Sequence, residues 1–154
     1  QVNHSVAIGD GTLRTNAFVG FLTSYDVQSF PGEAMVDEVG TVNGTANRAS
    51  DNNFHPELKF TLAPTYDFGD ASIGLRWRYT SAVDDLTGKN VDIDAYSLFD
   101  LTASYRLSDE FTIKGSINNL ADKNPPEYGG TDLTRFGSYD IVGRFFSVGI
   151  TGSF

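Results

Sequence analysis

The sequence contains no cysteine, and only two histidines, one methionine and one tryptophan among its 154 residues. Without cysteine there is no disulfide, no thiol nucleophile and no thiolate metal site, and the redox compartment stays open. His4 and His55 stand far apart in the chain. Basic residues are also scarce: 11 Lys and Arg against 20 Asp and Glu give a formal net charge of -9. That balance argues against nucleic acid, whose phosphates require clustered cations. No apolar run reaches the roughly 18–20 residues of a transmembrane helix. The opening QVNHSVAIGDG lacks the basic start, apolar stretch and cleavage site of a signal peptide. A chain that opens in mid-strand reads as a fragment or processed product, of a length that suits one domain.

What is present is alternation. In ELKFTLAPTYDF, Leu58, Phe60, Leu62, Pro64, Tyr66 and Phe68 share one face, opposite Lys59, Thr61, Ala63, Thr65 and Asp67. SIGLRWRYT sets Ile73, Leu75, Trp77 and Tyr79 against Gly74, Arg76, Arg78 and Thr80. YSLFDLTASYRL, FTIKGSINNL and the closing GRFFSVGITGSF repeat the pattern, and the last ladder runs to a terminal Phe154. A period of two over segments this long predicts amphipathic strands. Leu13 to Tyr25 reads as another strand, although Phe18 and Leu22 fall on its polar side. Residues 2–8 read as the end of an earlier strand, which gives six full strands and a partial one.

The connections fall into two kinds that alternate along the chain. Gly9–Gly11, residues 68–71 and residues 108–110 are short hairpin turns. Residues 27–55, 84–95 and 121–142 are long and polar. An antiparallel meander follows, with short turns at one end and long loops at the other.

A soluble β-sandwich also alternates, with its apolar face as the core. Strand length and aromatic placement favour a membrane instead. The strands are near the roughly 9–11 residues that cross a bilayer at a tilt. Tyr66, Phe68, Tyr105, Phe111 and Phe154 gather on the apolar face at the short-turn end. Tyr25, Phe60, Trp77, Tyr79, Phe99 and Phe146 lie toward the long-loop end. Two aromatic girdles around an aliphatic band, with short turns on one side and long loops on the other, describe an outer-membrane barrel. The charges agree, since Arg14, Lys59, Arg76, Arg78, Arg106 and Lys114 all fall opposite the apolar ladder. Arg144 alone breaks parity, at the outer end of its strand, where lipid headgroups would take it.

The segment LFDLTASYRLSDEFTIKGSINNLADKNPPEY, with its Asn118, Asn119, Leu120, Asp122 and Lys123 block, resembles the C-terminal region of TonB-dependent outer-membrane receptors. YDIVGRFFSVGITGSF resembles that family's Gly-Arg block, Gly143 and Arg144 here, before a final strand ending in Phe. HPELKFTLAPTYDFGDASIGLRWRYT is similar to the strand pair that often precedes them. Ala121 stands where Phe is common and Pro126 where Tyr is common. The resemblance covers residues 54–154 well and 11–53 loosely. It implies an all-β fold in which residues 1–154 are the last six to seven strands of a 22-stranded transmembrane barrel, with plug and earlier strands outside this sequence. It implies active uptake of ferric siderophores, cobalamin or other scarce nutrients through the outer membrane, with no enzymatic activity and no cofactor. The implied partners are outer-membrane lipid, the rest of the barrel and its plug, TonB through a missing N-terminal part, and the barrel assembly machinery, for which Phe154 would be the sorting signal. A small eight-stranded barrel acting as adhesin or structural protein is the alternative.

Candidate site residues are few. Ser50, Asp51 and His55 have no spacing suited to nucleophilic catalysis. Asp84, Asp85, Asp92 and Asp94 crowd one loop and suit a hard cation, yet a solvated charged loop explains them more simply, so no metal site is assigned. The inward basic row of Lys59, Arg76, Arg78, Arg106 and Lys114 suits an anionic ligand or, better, salt bridges to a plug. Phe30, Met35, Tyr128, Phe136 and Tyr139 are loop-tip candidates for ligand contact, with loop-on-loop packing as the competing use.

Overall fold

The computed structural model describes residues 1–28, 30–42, 54–85, 92–127 and 139–153. The strands are β1 (Val2–Ile8), β2 (Gly11–Phe21), β3 (Asp26–Val27), β4 (Val36–Asp37), β5 (Thr41–Val42) and β6 (Phe54–His55). They continue with β7 (Leu58–Phe68), β8 (Ala71–Thr80), β9 (Asp84–Asp85), β10 (Tyr96–Arg106), β11 (Phe111–Asn118) and β12 (Phe145–Gly152). One antiparallel 7-stranded sheet runs β1-β2-β7-β8-β10-β11-β12, so the long strands pair in the order they occur. The short strands pair among themselves within the loops, β3 with β4 and β5 with β6 and β9. The partial strand expected at residues 2–8 is present. No helix among the described residues is long and apolar enough to cross a membrane, a fact silent on strands.

Register carries the two faces across the whole sheet. Leu13 faces Tyr66, Tyr66 faces Ile73, Ile73 faces Ala103, Ala103 faces Gly115 and Gly115 faces Val148. The opposite parity pairs Arg14 with Thr65, Thr65 with Gly74, Gly74 with Thr102 and Thr102 with Ser116. A slip of one residue in any pairing would mix the faces. Gly9 and Gly69 adopt φ of +56° and +55° at the first position of their turns, as tight two-residue hairpins require. At Pro64, which has no N–H to give, the pairing of β7 with β8 lapses between Leu62↔Trp77 and Thr65↔Gly74 without a change of register.

Among the described residues nothing packs across the apolar face. Val19, Ile73, Leu75, Phe146, Val148 and Ile150 are exposed, Val148 to 79%. The buried residues lie elsewhere. Val42, Phe54, Val83, Ile93, Tyr96, Leu98 and Tyr139 form the core, and Tyr96 and Leu98 share parity with Asp100 on the polar side of β10. A sandwich would bury the apolar face; here the loops cover one end of the polar face and leave the apolar face to another solvent. The aromatic girdle at the long-loop end is built by contact: Phe60 stacks on Tyr79 at 4.9 Å, Trp77 on Phe99 at 5.7 Å, and Phe60 meets Trp77 edge-on at 4.7 Å. At the other end Tyr66 stacks on Phe68 and donates its hydroxyl to the Ile8 carbonyl at 2.8 Å. Its ring covers Gly11, where a Cβ would come within 2.6 Å of the ring.

One expected boundary shifts. The strand read as reaching Tyr25 ends at Phe21. Leu22 still donates to the Glu57 carbonyl at 2.8 Å, but the Tyr25 amide turns to the Asp37 carboxylate at 3.1 Å and its ring stacks on His55 at 3.9 Å. Tyr25 therefore belongs to the loop packing, not to the girdle.

Candidate functional site

The charged residues of the polar face are organised around one acid. Asp100 is directly opposite Arg76 in the β8–β10 register and is 1% exposed. Its Oδ2 accepts from Arg76 Nε at 2.8 Å and Arg78 Nε at 3.1 Å; its Oδ1 accepts from Arg78 Nη2 at 3.1 Å and from the Asn119 amide at 2.9 Å. Both carboxylate oxygens are thus satisfied by charge-assisted or backbone donors. Elsewhere on this face Arg106 pairs with Asp70 at 2.6 Å and Arg14 with Asp67 at 2.7 Å. The arginines of the basic row, expected to suit a plug or ligand, have acid partners within the same sheet and its turns. Lys59 and Lys114 are the members with no carboxylate partner among the described residues.

The Asn119–Lys123 block closes the base of the loop between β11 and β12. Asn119 and Asp122 both take φ of +52°, a conformation that Asn and Asp tolerate better than most residues. The Asn119 side chain grips the Lys123 backbone from both sides, donating to its carbonyl at 2.9 Å and accepting from its amide at 2.8 Å. Asp122 accepts from the Arg144 amide at 2.8 Å, and its carboxylate lies 3.5 Å from the Arg144 guanidinium. A Cβ at Gly143 would stand 3.2 Å from Asp122 Oδ1, so glycine there permits the approach. Two separated sequence blocks are in this way one clasp at the entry to β12. Arg144, just ahead of its strand, has a protein partner in Asp122.

At the long-loop end Tyr139 is buried to 6% exposure, edge-on to Phe54 and Tyr96 at 5.2 Å each. It is not an exposed loop tip; it fills the core beneath the loops. Burial and the neighbouring Tyr96 push its phenol up to about 12, so it stays protonated. Phe30 and Met35 are exposed, at 54% and 68%, while Tyr128, Phe136, Ser50, Asp51 and Phe154 lie outside the described residues. Asp92 accepts from the Asp85 amide at 2.8 Å, and no group of three acids or histidines among the described residues could hold a metal ion. Sequence reading missed Asp100 and Asp140 as partners of the basic row. For Asp100 the available signal was an acid placed mid-strand on a face otherwise carrying cations.

His55 lies between the Tyr25 ring and the buried Glu38, with Nε2 3.8 Å from Glu38 Oε2. Desolvation lowers its pKa, Glu38 opposes the shift and Lys59 adds to it. The folded loop therefore takes the proton less readily than the unfolded chain, whose His titrates near about 6.5. Its stability is complete above that value and falls as pH drops below it. Gly40 donates to the His55 carbonyl at 2.7 Å, so amide exchange at Gly40, corrected for intrinsic rate, is expected to accelerate between about pH 7.5 and 5.5. His55→Phe should flatten the dependence; greater protection in acid would reverse the sign and refute it.

Residues 9–120 match the family described as TonB dependent receptor-like, beta-barrel. Among curated proteins, the Vitamin B12 transporter BtuB of Vibrio cholerae serotype O1 is similar in both a classical Ogawa and an El Tor Inaba strain, 27% identical over 149 residues. The alignment takes in 94% of this chain and 23% of that transporter, so the chain spans under a quarter of the length of these relatives. No solved structure matches the chain.

Proposed function

The chain belongs to the TonB-dependent receptor β-barrel family, and from that premise we propose that it is the C-terminal wall of an outer-membrane transporter that takes up a scarce nutrient with energy delivered through TonB. Barrels of this family sit in the outer membrane, and the family is one of receptors and transporters, not an enzyme class. The observation that carries the reading is the inversion of the sheet: its apolar face is bare across seven strands while its charged face is paired and partly roofed by loops. Lipid accepts the first face and an aqueous lumen the second. The sheet also leaves β1 and β12 as its edges, which suits a segment of a larger wall and not a closed small barrel, since lipid tolerates no unpaired edge. The remaining strands, a plug within the lumen, and assembly by the barrel machinery through the terminal Phe154 belong to the same proposal.

The relatives and the resemblance together support two cargo classes. Vitamin B12 is the cargo in the name of the Vibrio transporter; a ferric siderophore is the other cargo the resemblance implies. Uptake of labelled cobalamin and of ferric siderophores by cells expressing the full-length receptor tests the reading. Uptake of one of them is expected with TonB energised and should vanish when TonB is lost. Uptake that persists without TonB, by a protein shown to be inserted, would make it a passive pore.

A further inference from the structure

Resting on the reading that the outward face of the sheet meets the bilayer, we propose that its β1–β2 end is an interface inside the membrane, and that its occupant is a second copy of the same receptor. One register row carries the case. On the outward face Leu75 pairs with Leu101, Leu101 with Ile117 and Ile117 with Phe146, an apolar row across β8, β10, β11 and β12. Followed the other way, the same row passes to Pro64, then Thr15, then His4. Each of these three stands one residue from the middle of its strand. A hydroxyl, an imidazole and a ring with no N–H to give thus sit where a bilayer is driest. Among the described residues neither the His4 ring nor the Thr15 hydroxyl has a hydrogen-bond partner. Polar groups at that depth are costly against lipid and mark a contact with protein or water.

The girdles supply an independent observation. From β7 onward the outward face carries rings at both ends, Phe60, Trp77 and Phe99 at one and Tyr66, Phe68 and Tyr105 at the other. The outward positions of β1 are Val2, His4, Val6 and Ile8, with no ring at all. Those of β2 run through Leu13, Thr15, Ala17 and Val19 before a single ring, Phe21, at the tip. A wall that faces lipid is anchored by aromatics at both of its interfaces; these two strands lack the anchors. Val2, Ile8 and Val19 are exposed all the same. The strand that precedes β1 in a complete barrel pairs with its edge and leaves its outward face open. The patch also fits its own image. Two receptors inserted in the same sense are related by a two-fold axis along the membrane normal, and such a contact is self-complementary. With the axis between β1 and β2, His4 meets the partner's Thr15, Val6 the partner's Leu13 and Val2 the partner's Ala17, because each pair shares a register position. Polar rows then meet polar rows and apolar rows meet apolar ones. Imidazole and hydroxyl both donate and accept, so each finds in the second copy what lipid cannot give. A different protein would need a matching polar pair at the same depth.

The test uses the full-length receptor in lipid vesicles, with a single fluorophore on each molecule and the dimer fraction read by single-molecule photobleaching over a range of protein-to-lipid ratios. A dimer fraction that rises with the ratio is expected for the parent. His4→Leu and Thr15→Val are each expected to weaken association by about tenfold. The double change should weaken it little further, since either one alone breaks the same pair. Both substitutions make the outward face more apolar, so insertion should not suffer, and unchanged heat-modifiable mobility on gels shows that each variant is folded. Leu101→Val, on the apolar half of the row, should leave association as it was. Monomers at every ratio, or association indifferent to His4→Leu, would overturn the interface. A His4→Leu variant that unfolds at lower urea while associating like the parent would also overturn it, and would assign the ring to the preceding strand. TonB-independent uptake with the association shifts intact would instead overturn the uptake reading and keep the interface.

Discussion

Replacing Asp100 by alanine is expected to destabilise the barrel by about 3 kcal/mol, the low end for removing one partner from a buried ion network. The carboxylate is 1% exposed and gathers Arg76, Arg78 and the Asn119 amide. Its loss leaves two guanidinium groups facing each other across neighbouring positions of β8 and strands the amide at the base of the β11–β12 loop. The cost stays at the low end because Arg76 and Arg78 are 49% and 33% exposed and can recover some hydration. Asp100→Asn keeps the shape and one acceptor oxygen and should cost less. Urea unfolding of the full-length receptor in lipid vesicles measures both, with midpoint read at constant slope. Faster exchange at the Asn119 amide should accompany the alanine change. An Asp100→Ala midpoint equal to that of the parent would mean the arginines are held by something else.

The same residue shows where sequence reading stops. Alternation is a local property, so the faces of β7, β8, β10, β11 and β12 could be read directly, and the glycine turns at Gly9 and Gly69 could be placed. Pairing across strands is not local. That Arg76 faces Asp100 depends on the register of β8 against β10, two strands joined by a long connection, and the sequence alone offered a plug as the nearest counter-charge. Tyr139 misled for a related reason. A tyrosine in a polar, glycine-containing stretch looks like a loop tip, yet its burial depends on Phe54 and Tyr96, which lie far off in sequence. Tyr25 kept the strand parity on paper, but the Asp37 carboxylate and His55 ring drew it out of the ladder. The Asn119–Asp122 and Gly143–Arg144 blocks were visible as motifs by resemblance alone; their contact, and the positive φ that makes it possible, required the fold.

Leu75→Arg is expected to cost roughly 2–4 kcal/mol in the same vesicles, while Arg76→Leu one position along should cost about 1 kcal/mol. Leu75 holds the middle outward position of β8, between Ile73 and Trp77 and opposite Leu101, and it is 38% exposed on the bare apolar face. The Trp77, Tyr79, Phe60 and Phe99 girdle lies toward one membrane surface and the Tyr66, Phe68 and Tyr105 rings toward the other. An arginine at Leu75 must therefore stretch past aliphatic neighbours before its charge meets headgroups or water. The Arg76 change removes one donor from Asp100, but Arg78 and the Asn119 amide still satisfy both oxygens, and the new leucine faces an aqueous lumen where it costs little. The contrast tests the assignment of faces more sharply than either value alone. A soluble sheet with its apolar side in water would tolerate arginine at an exposed position such as Leu75 and would show no dependence on bilayer thickness. In lipid the penalty should grow as vesicles are made from longer acyl chains, because the guanidinium then lies farther from the nearest headgroup. Equal costs for Leu75→Arg and Arg76→Leu, or a Leu75→Arg cost indifferent to chain length, would place the bilayer on neither face.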